Sequence, residues 1–332
     1  MAWELRVPSK FGSAKIVQGS VLEILPALIK VLGEQSFDAL LSDPPYEIGC
    51  DTTPSKTREE VSSGWDSTGV AFNIGLWTAA RRLLRPGAYA MTFGATRRYH
   101  RMACAIEDAG LEIVDGMAWM FGVGQSMIAP IPEPGWEGHR PRLRPGYEPI
   151  VLSRRRPEGT VVANVREHGV GGLAVDACKW GEKNRLPTNM MLDADAATVL
   201  DELNPGSSRF FCCHKVTEAE RNFGLPERSP HPTPKPVEMC AYLARLLLPA
   251  YTGRPRRLLV PFSGSGSEVI GGLLSGWEEV IGVEMSAEYA GVARARISAY
   301  GALCSTDAGR IVSEVVTEKA PKRKKAKEAE EC

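Results

Sequence analysis

The sequence predicts an α/β fold: one Rossmann-like parallel sheet with helices between its strands. Three observations predict it. Strand-like and helix-like segments alternate along most of the chain. One apolar run, "FDALLSDPPYEIG" (37–49), stops at an acid followed by two prolines, which cannot continue a central ladder. A second run, "RRLLVPF", opens into the glycine-rich "PFSGSGSE" (261–268) ahead of a helical pattern, the place where open α/β sheets hold ligands.

The elements follow in order. "AKIVQGS" (14–20) reads as a short strand ending at glycine, and "VLEILPALIKVL" as a helix interrupted by Pro26. "FDALLSD" is the next strand. The polar stretch "CDTTPSKTREEVSSGWDS" has no period and is too long for a mere connection, so it reads as a lid. "AFNIGLWTAARRLLRPG" is a helix closed by Pro86-Gly87, "AYAMTFG" a buried strand, and "RRYHRMACAIEDAG" a helix stopped by Gly110. "LEIVDGMAWMF" and "EPIVLSRR" are two more strands, with Trp119 and Phe121 as sheet core.

From about Pro157 to Pro230 glycines, prolines and polar residues dominate, which predicts an insert of low regularity. In "FFCCHK" the pair Cys212–Cys213 and His214 lack a second pair at zinc-ligand spacing, so an ordinary core segment is expected and no metal. Order returns at His231. In "KPVEMCAYLARLLLP", Val237, Cys240, Ala241, Ala244, Leu247 and Leu248 fall on one helical face. "EVIGVEM" is a further strand, "SEVIGGLLSG" the helix before it, and "SAEYAGVARARI" a closing helix. The tail "EKAPKRKKAKEAEEC" mixes charges without apolar period and reads as disordered.

Composition excludes several classes. No uncharged apolar run could span a membrane, and the first residues lack the apolar core of a secretion signal. With eight scattered cysteines, this points to a cytoplasmic protein with reduced thiols. Lys plus Arg and Asp plus Glu number 40 each, so the whole surface is not basic, though a local patch suffices for nucleic acid. Such a patch runs from His139 to Arg156, with six arginines against one glutamate. It reads either as a solvated loop or as a phosphate-binding face, and Arg154, Arg155 and Arg156 are the candidate DNA contacts.

Two stretches carry chemistry. At "PFSGSGSE", Gly264 and Gly266 let a ligand approach the backbone, and Glu284 ends the next strand twenty residues after Gly264. That arrangement suits a nucleoside whose ribose hydroxyls meet a carboxylate. Val269 stands where a dinucleotide fingerprint has its third glycine, so a pyrophosphate site is unsupported. At "DPPY", the Asp43 carboxylate and the Pro44 carbonyl could accept the two protons of an exocyclic amine and localise its lone pair, with proline rigidity holding the carbonyl. Tyr46 offers a stacking face, worth roughly 1–3 kcal/mol, against the few kcal/mol that extruding a base costs. The plainer alternative is a proline-rich strand end with a helix-capping Asp.

Together these motifs resemble the S-adenosylmethionine-dependent amino-methylating DNA methyltransferases. Their catalytic motif [D/N/S]-P-P-[Y/F/W] is Asp43-Pro44-Pro45-Tyr46 here, and their cofactor motif F-x-G-x-G is Phe262-Ser263-Gly264-Ser265-Gly266. The order, catalytic motif first, is the circularly permuted order of the β group. "HPTPKP" (231–236) resembles the segment preceding the cofactor motif there. Two positions depart from the usual pattern: Val260 replaces the acid of Asp-Pro-Phe, and Gly19-Ser20 replaces Gly-Asp.

The resemblance implies a catalytic half (1–156), a target-recognition insert (157–230), a cofactor half (231–303) and the charged tail (304–332). It implies that Phe262, Gly264 and Gly266 line the methionine side of S-adenosylmethionine, that Glu284 takes the ribose, and that Thr233 and Lys235 close the pocket beside Asp43. It further implies double-stranded DNA as partner, a homodimer, and adenine N6 as the methyl acceptor ahead of cytosine N4. Methyltransferases of RNA or protein glutamine usually place the cofactor motif first. A non-catalytic DNA-binding relative is the other alternative.

Overall fold

The computed structural model describes residues 12–48, 65–122, 128–179, 185–203, 211–212 and 216–305. Most of the 50–67 stretch, the Cys213–His214 pair and the tail beyond 305 lie outside the described residues.

Nine strands in the described residues form one sheet: β1 (Ser13–Gln18), β2 (Phe37–Ser42), β3 (Leu84–Phe93), β4 (Leu111–Met120), β5 (Tyr147–Arg155), β6 (Met190–Leu192), β7 (Phe211–Cys212), β8 (Arg257–Val260) and β9 (Glu279–Glu284). Their order is β1-β9-β8-β2-β3-β5-β4-β6-β7. β5 runs antiparallel to both neighbours and every other pairing is parallel, so eight carboxyl ends share one edge. β2 and β8 are adjacent, with β3 beyond one and β9 beyond the other. The chain therefore leaves this pair in opposite directions, which opens a crevice at a topological switch point.

Helices cover both faces. α1 (Val21–Leu32), α2 (Ile74–Leu83) and α3 (Tyr99–Asp108) pack on one side around Leu25, Trp77, Leu83 and Ile106. α4 (Val161–His168), α5 (Ala194–Leu203) and α6 (Glu218–Asn222) belong to the segment expected to be irregular. That segment also supplies β6 and β7, so it extends the sheet past β4. α7 (Val237–Leu247), α8 (Ser267–Ser275) and α9 (Ala287–Ser305) cover the other face around Tyr242, Leu273 and Tyr300.

Three local expectations change. Pro26 does not interrupt α1: it lies on the exposed side, and the helix continues through it to Leu32 without that one backbone hydrogen bond. α2 ends at Leu83, before Pro86-Gly87, because β3 already begins at Leu84. The pair instead marks an irregularity in the β2–β3 register, where Asn164 donates to the Pro86 carbonyl at 3.0 Å and a side chain on Gly87 would strike Asn164. α7 is buried nearly all round, not on one face, since the 170s segment covers its outer side and Ala174 N donates to the Leu246 carbonyl.

Two buried indoles are satisfied, Trp77 by the Ala71 carbonyl and Trp277 by the Ala244 carbonyl, each at 2.9 Å, whereas the buried Trp119 Nε1 has no hydrogen-bond partner among the described residues. The buried Asp38 meets Arg85 at 3.1 Å and Arg254 at 2.7 Å, and accepts from Arg257 N at 2.8 Å. No described helix is long and apolar enough to cross a membrane.

α7 and α8 touch through Gly271, where a Cβ would lie 2.6 Å from the backbone of Cys240 and Ala241. Gly291 in α9 faces open space. Gly271→Ala is therefore expected to lower stability by about 1–3 kcal/mol through overpacking. Gly291→Ala should raise it by roughly 0.5–1 kcal/mol, the helix-interior cost of glycine. Urea unfolding of both variants checks the opposite signs.

Candidate functional site

The switch-point crevice is a cavity of about 1240 Å³ at the carboxyl edge of the sheet. A pocket for one small ligand is roughly 300–1,000 Å³, so this cavity has room for more than one group. Asp43, Pro44, Pro45 and Tyr46 enter it directly after β2. Phe262 and Gly264 enter after β8, Glu284 at the end of β9, and Thr233 and Lys235 from the segment before α7. Catalytic and cofactor candidates thus converge, although more than two hundred residues separate their motifs.

Gly264 has φ +47°, and a Cβ there would lie 2.7 Å from Nε2 of His231, so only glycine fits beneath that ring. Its N–H donates to Glu284 Oε2 at 2.9 Å, while Glu284 Oε1 accepts from Ser286 N at 2.8 Å. Both oxygens keep lone pairs for hydroxyl donors. Burial raises the Glu284 carboxyl above its usual range and these backbone donors counteract it.

Gly266 does not line the cavity. At φ +86° it caps α8 and faces α9, where a Cβ would lie 3.1 Å from Ala293. Its role is helix packing. The turn is held from behind by the fully buried Arg296, whose Nη1 donates to the Ser265 carbonyl at 2.7 Å and to Ser265 Oγ at 3.0 Å.

Lys235 is the centre of the Asp43–Tyr46 side of the cavity. Its ammonium, only 6% exposed, lies 2.5 Å from Asp43 Oδ2 and 3.5 Å from Glu148 Oε2. It also sits about 5 Å from the ring centres of Tyr46 (5.1 Å) and Phe93 (5.0 Å). Glu148 in turn accepts from the Tyr46 hydroxyl at 2.9 Å, which fixes the ring. Burial pulls the lysine down, but Asp43 and Glu148 outweigh it and hold its pKa above the ordinary value. Burial pushes Asp43 up, and Lys235 opposes that shift. Asp43 Oδ1 makes no hydrogen bond. Immediately after Tyr46, Glu47 adopts φ +57°, a left-handed backbone held by its N–H donating to Asp66 Oδ1 at 2.8 Å.

Several of these residues escape a reading of the sequence. Glu148 looked like the lone acid of a basic cluster, yet it ends up buried opposite Trp119 in the β4–β5 ladder. An acid at the head of an otherwise apolar strand was the available signal. Glu268, in the first turn of α8, is buried and lines the cavity, whereas Val260 lies wholly in the core. Ser20 caps α1, its hydroxyl accepting from Leu22 N at 3.3 Å. Trp119 and Phe121 are buried as expected but also form the cavity wall, edge to face at 4.7 Å.

Arg154, Arg155 and Arg156 are not brought to this site. β5 is antiparallel, so its last residues lie at the opposite edge of the sheet, where Arg155 pairs with Leu111 at the start of β4. Arg154 bonds Glu112 at 2.8 Å, and Arg155 donates to the Leu84 carbonyl at 2.7 Å. Anchoring that edge occupies Arg154 and Arg155.

The lining is acidic. Asp43, Asp66, Glu148, Glu268, Glu284 and Glu288 face Lys235 and Arg221. His231 adds no charge at neutral pH, since burial and nearby cations lower it to about 4.

No family model matches the sequence. Among solved structures, PvuII DNA methyltransferase (cytosine-N4-specific) superposes with TM-score 0.50 at 12% identity, over 94% of this chain and 95% of that one. The two share a fold. The M1.HpyAVI-SAM complex gives TM-score 0.47 at 16% identity, over 86% of this chain and 100% of the other. M1.HpyAVI alone gives 0.45 at 15%, over 86% and 98%.

Two expectations follow from the electrostatics. Lys235→Met leaves Asp43 and Glu148 buried without their cation, a loss of about 3–5 kcal/mol in denaturant unfolding. Burial also raises Glu268 to about 8 and Glu220 to about 7. Each binds a proton in the folded chain that the unfolded chain has released above the ordinary carboxylate range. Their stabilising contribution is full at low pH and is lost as pH rises through 7 to 8, while His231 acts oppositely between about 4 and 6.5. Stability should therefore decline from pH 6.5 to about 8 and level off above it. Glu268→Gln should flatten that decline, measured as midpoint against pH.

Proposed function

We propose that the chain is an S-adenosylmethionine-dependent DNA methyltransferase acting on an exocyclic amine, with adenine N6 as the acceptor. The observation that carries this is the convergence of Asp43–Tyr46, the Gly264 turn and Glu284 on one acid-lined cavity. An excess of carboxylates suits a sulfonium and an ammonium group and disfavours a polyphosphate nucleotide. Glu284 has lone pairs for ribose hydroxyls. The volume supports a cofactor and an extruded base side by side.

When bound, the cofactor supplies an electrophilic methyl group. The chain's own residues do the rest. Asp43 Oδ1 and the Pro44 carbonyl accept the two amine protons and localise the nitrogen lone pair. Lys235 holds the other Asp43 oxygen, so the carboxylate is oriented before the base arrives. Tyr46, fixed by Glu148, gives the base a stacking face. The proton shed by the methylated amine has Asp43 as its nearest acceptor on this reading, and burial makes that carboxylate more basic than a solvated one. Target recognition is assigned to residues 157–230, which also contribute Arg221 to the cavity wall. A homodimer is the assembly assigned with it, checked by sedimentation.

The test is transfer of labelled methyl groups from S-adenosylmethionine to unmethylated genomic DNA, followed by nucleoside chromatography. Label in N6-methyladenine supports the reading, label in N4-methylcytosine moves the acceptor, and no incorporation overturns it. Asp43→Ala is expected to reduce transfer at least about a hundredfold, the loss for one preorganised group. Glu284→Ala should weaken cofactor binding by about tenfold or more, corresponding to one charge-assisted hydrogen bond. Calorimetry with the cofactor alone measures it.

A further inference from the structure

The arginines chosen from sequence point away from the cavity, yet the same basic cluster has a second half. β5 begins at the carboxyl edge: Ile150 pairs with Phe93 at the end of β3, and Tyr147 with Met120 at the end of β4. Residues just before β5, including Arg140, Arg142 and Arg144, therefore emerge on the cavity side of the sheet. The nine-residue strand splits the cluster, carrying its two halves to opposite edges roughly 25–30 Å apart at about 3.3 Å per residue.

A second basic segment meets it there. β3 ends at Phe93, and Gly94 N donates to the Pro149 carbonyl at 2.9 Å, tying the two chain ends together. Arg97, Arg98, His100 and Arg101 follow at once. Arg98 and Tyr99 share a small crevice with Pro45 and Tyr46, so this segment borders the catalytic motif itself. His100, Arg101 and Arg144 are exposed, Arg142 is half-buried, and Arg140 donates one N–H to the Ile128 carbonyl.

The charge order of α3 runs against its own stability. Helices favour acids at the amino end and bases at the carboxyl end, each worth about 0.3–1 kcal/mol. α3 has Arg98 at its cap, Arg101 in its first turn and Glu107 and Asp108 at its close, with no side-chain cap. α1, by contrast, has Glu23 first and Lys30 last. The cations of α3 stand on the cavity edge in spite of the helix.

We infer that this rim, Arg97–Arg101 together with Arg140–Arg144, is the surface that grips the phosphate backbone of double-helical DNA around the cavity mouth. The inference rests on the proposed function and deepens it. A neutral chain has no global attraction for a polyanion, so affinity must come from such a local concentration of cations. The cavity lining is acidic while its rim is basic. Backbone is therefore held outside, and only a base turned out of the helix enters.

The experiment is fluorescence anisotropy of a labelled 30-base-pair duplex of arbitrary sequence across a salt series, using the full chain. The rim variant is Arg101→Ala/Arg142→Ala/Arg144→Ala, and the far-edge control is Lys30→Ala/Arg156→Ala. The rim variant should flatten the log–log salt slope by about 0.9 for each phosphate that the protein no longer neutralises. The control should keep the wild-type slope, and cofactor binding by calorimetry should be unchanged in all three proteins. Wild-type duplex binding with an unaltered rim slope, or an equal flattening in the control, overturns the rim and leaves the methyltransferase reading standing. Stronger competition by single-stranded RNA of equal charge also overturns it. No duplex binding by the wild type overturns both.

Discussion

One buried ion pair joins the two halves of this molecule. Lys235 arrives from the segment before α7 and Asp43 from the end of β2, and they meet at 2.5 Å across 192 residues of chain. Burying three charged groups is costly unless they are paired, and here one ammonium serves Asp43 and Glu148 together. The geometry of Tyr46 depends on that arrangement, since the carboxylate that receives its hydroxyl also faces the lysine. The cluster holds the strand end, the antiparallel β5 and the entry to α7 in one register.

The rest of the cavity follows from the sheet. Parallel strands place their carboxyl ends on one edge, and the reversal between β2 and β8 keeps the helices from closing over it. Into that opening the fold brings an excess of acid at a cost in stability. Burial raises the cavity-lining Glu268 far above ordinary carboxylates. Groups so perturbed in a cleft are where a fold trades stability for binding capacity.

Arg296 and Asn164 show how second elements stabilise the first. Arg296, from the last helix, hydrogen-bonds the glycine-rich turn at Ser265. Asn164, from α4, bridges the Pro86 and Val170 carbonyls and lets β3 shift register beside β2. The segment 157–230 is thus stitched to the sheet at α4, β6 and β7 although its composition suggests loop. Short strands at a sheet edge need little periodicity, because the neighbouring strand supplies the hydrogen-bond template.

What the sequence determined by itself was whatever local stereochemistry enforces. Two prolines had to end β2 just before Asp43, and a left-handed Gly264 had to follow β8. Helical and strand periods located the elements outside residues 157–230, where α4, α5, α6, β6 and β7 went unread, and Pro26 and Pro86-Gly87 were misjudged as a helix break and a helix stop. Tertiary structure alone decided the partners: that Glu148 holds Tyr46, that Gly266 serves α9 and not the cavity, and that Arg142 and Arg154 stand at opposite ends of one strand. Strand direction is the physical reason. It is set by the ladder across which β5 inserts between β3 and β4, and no residue of β5 carries that information alone.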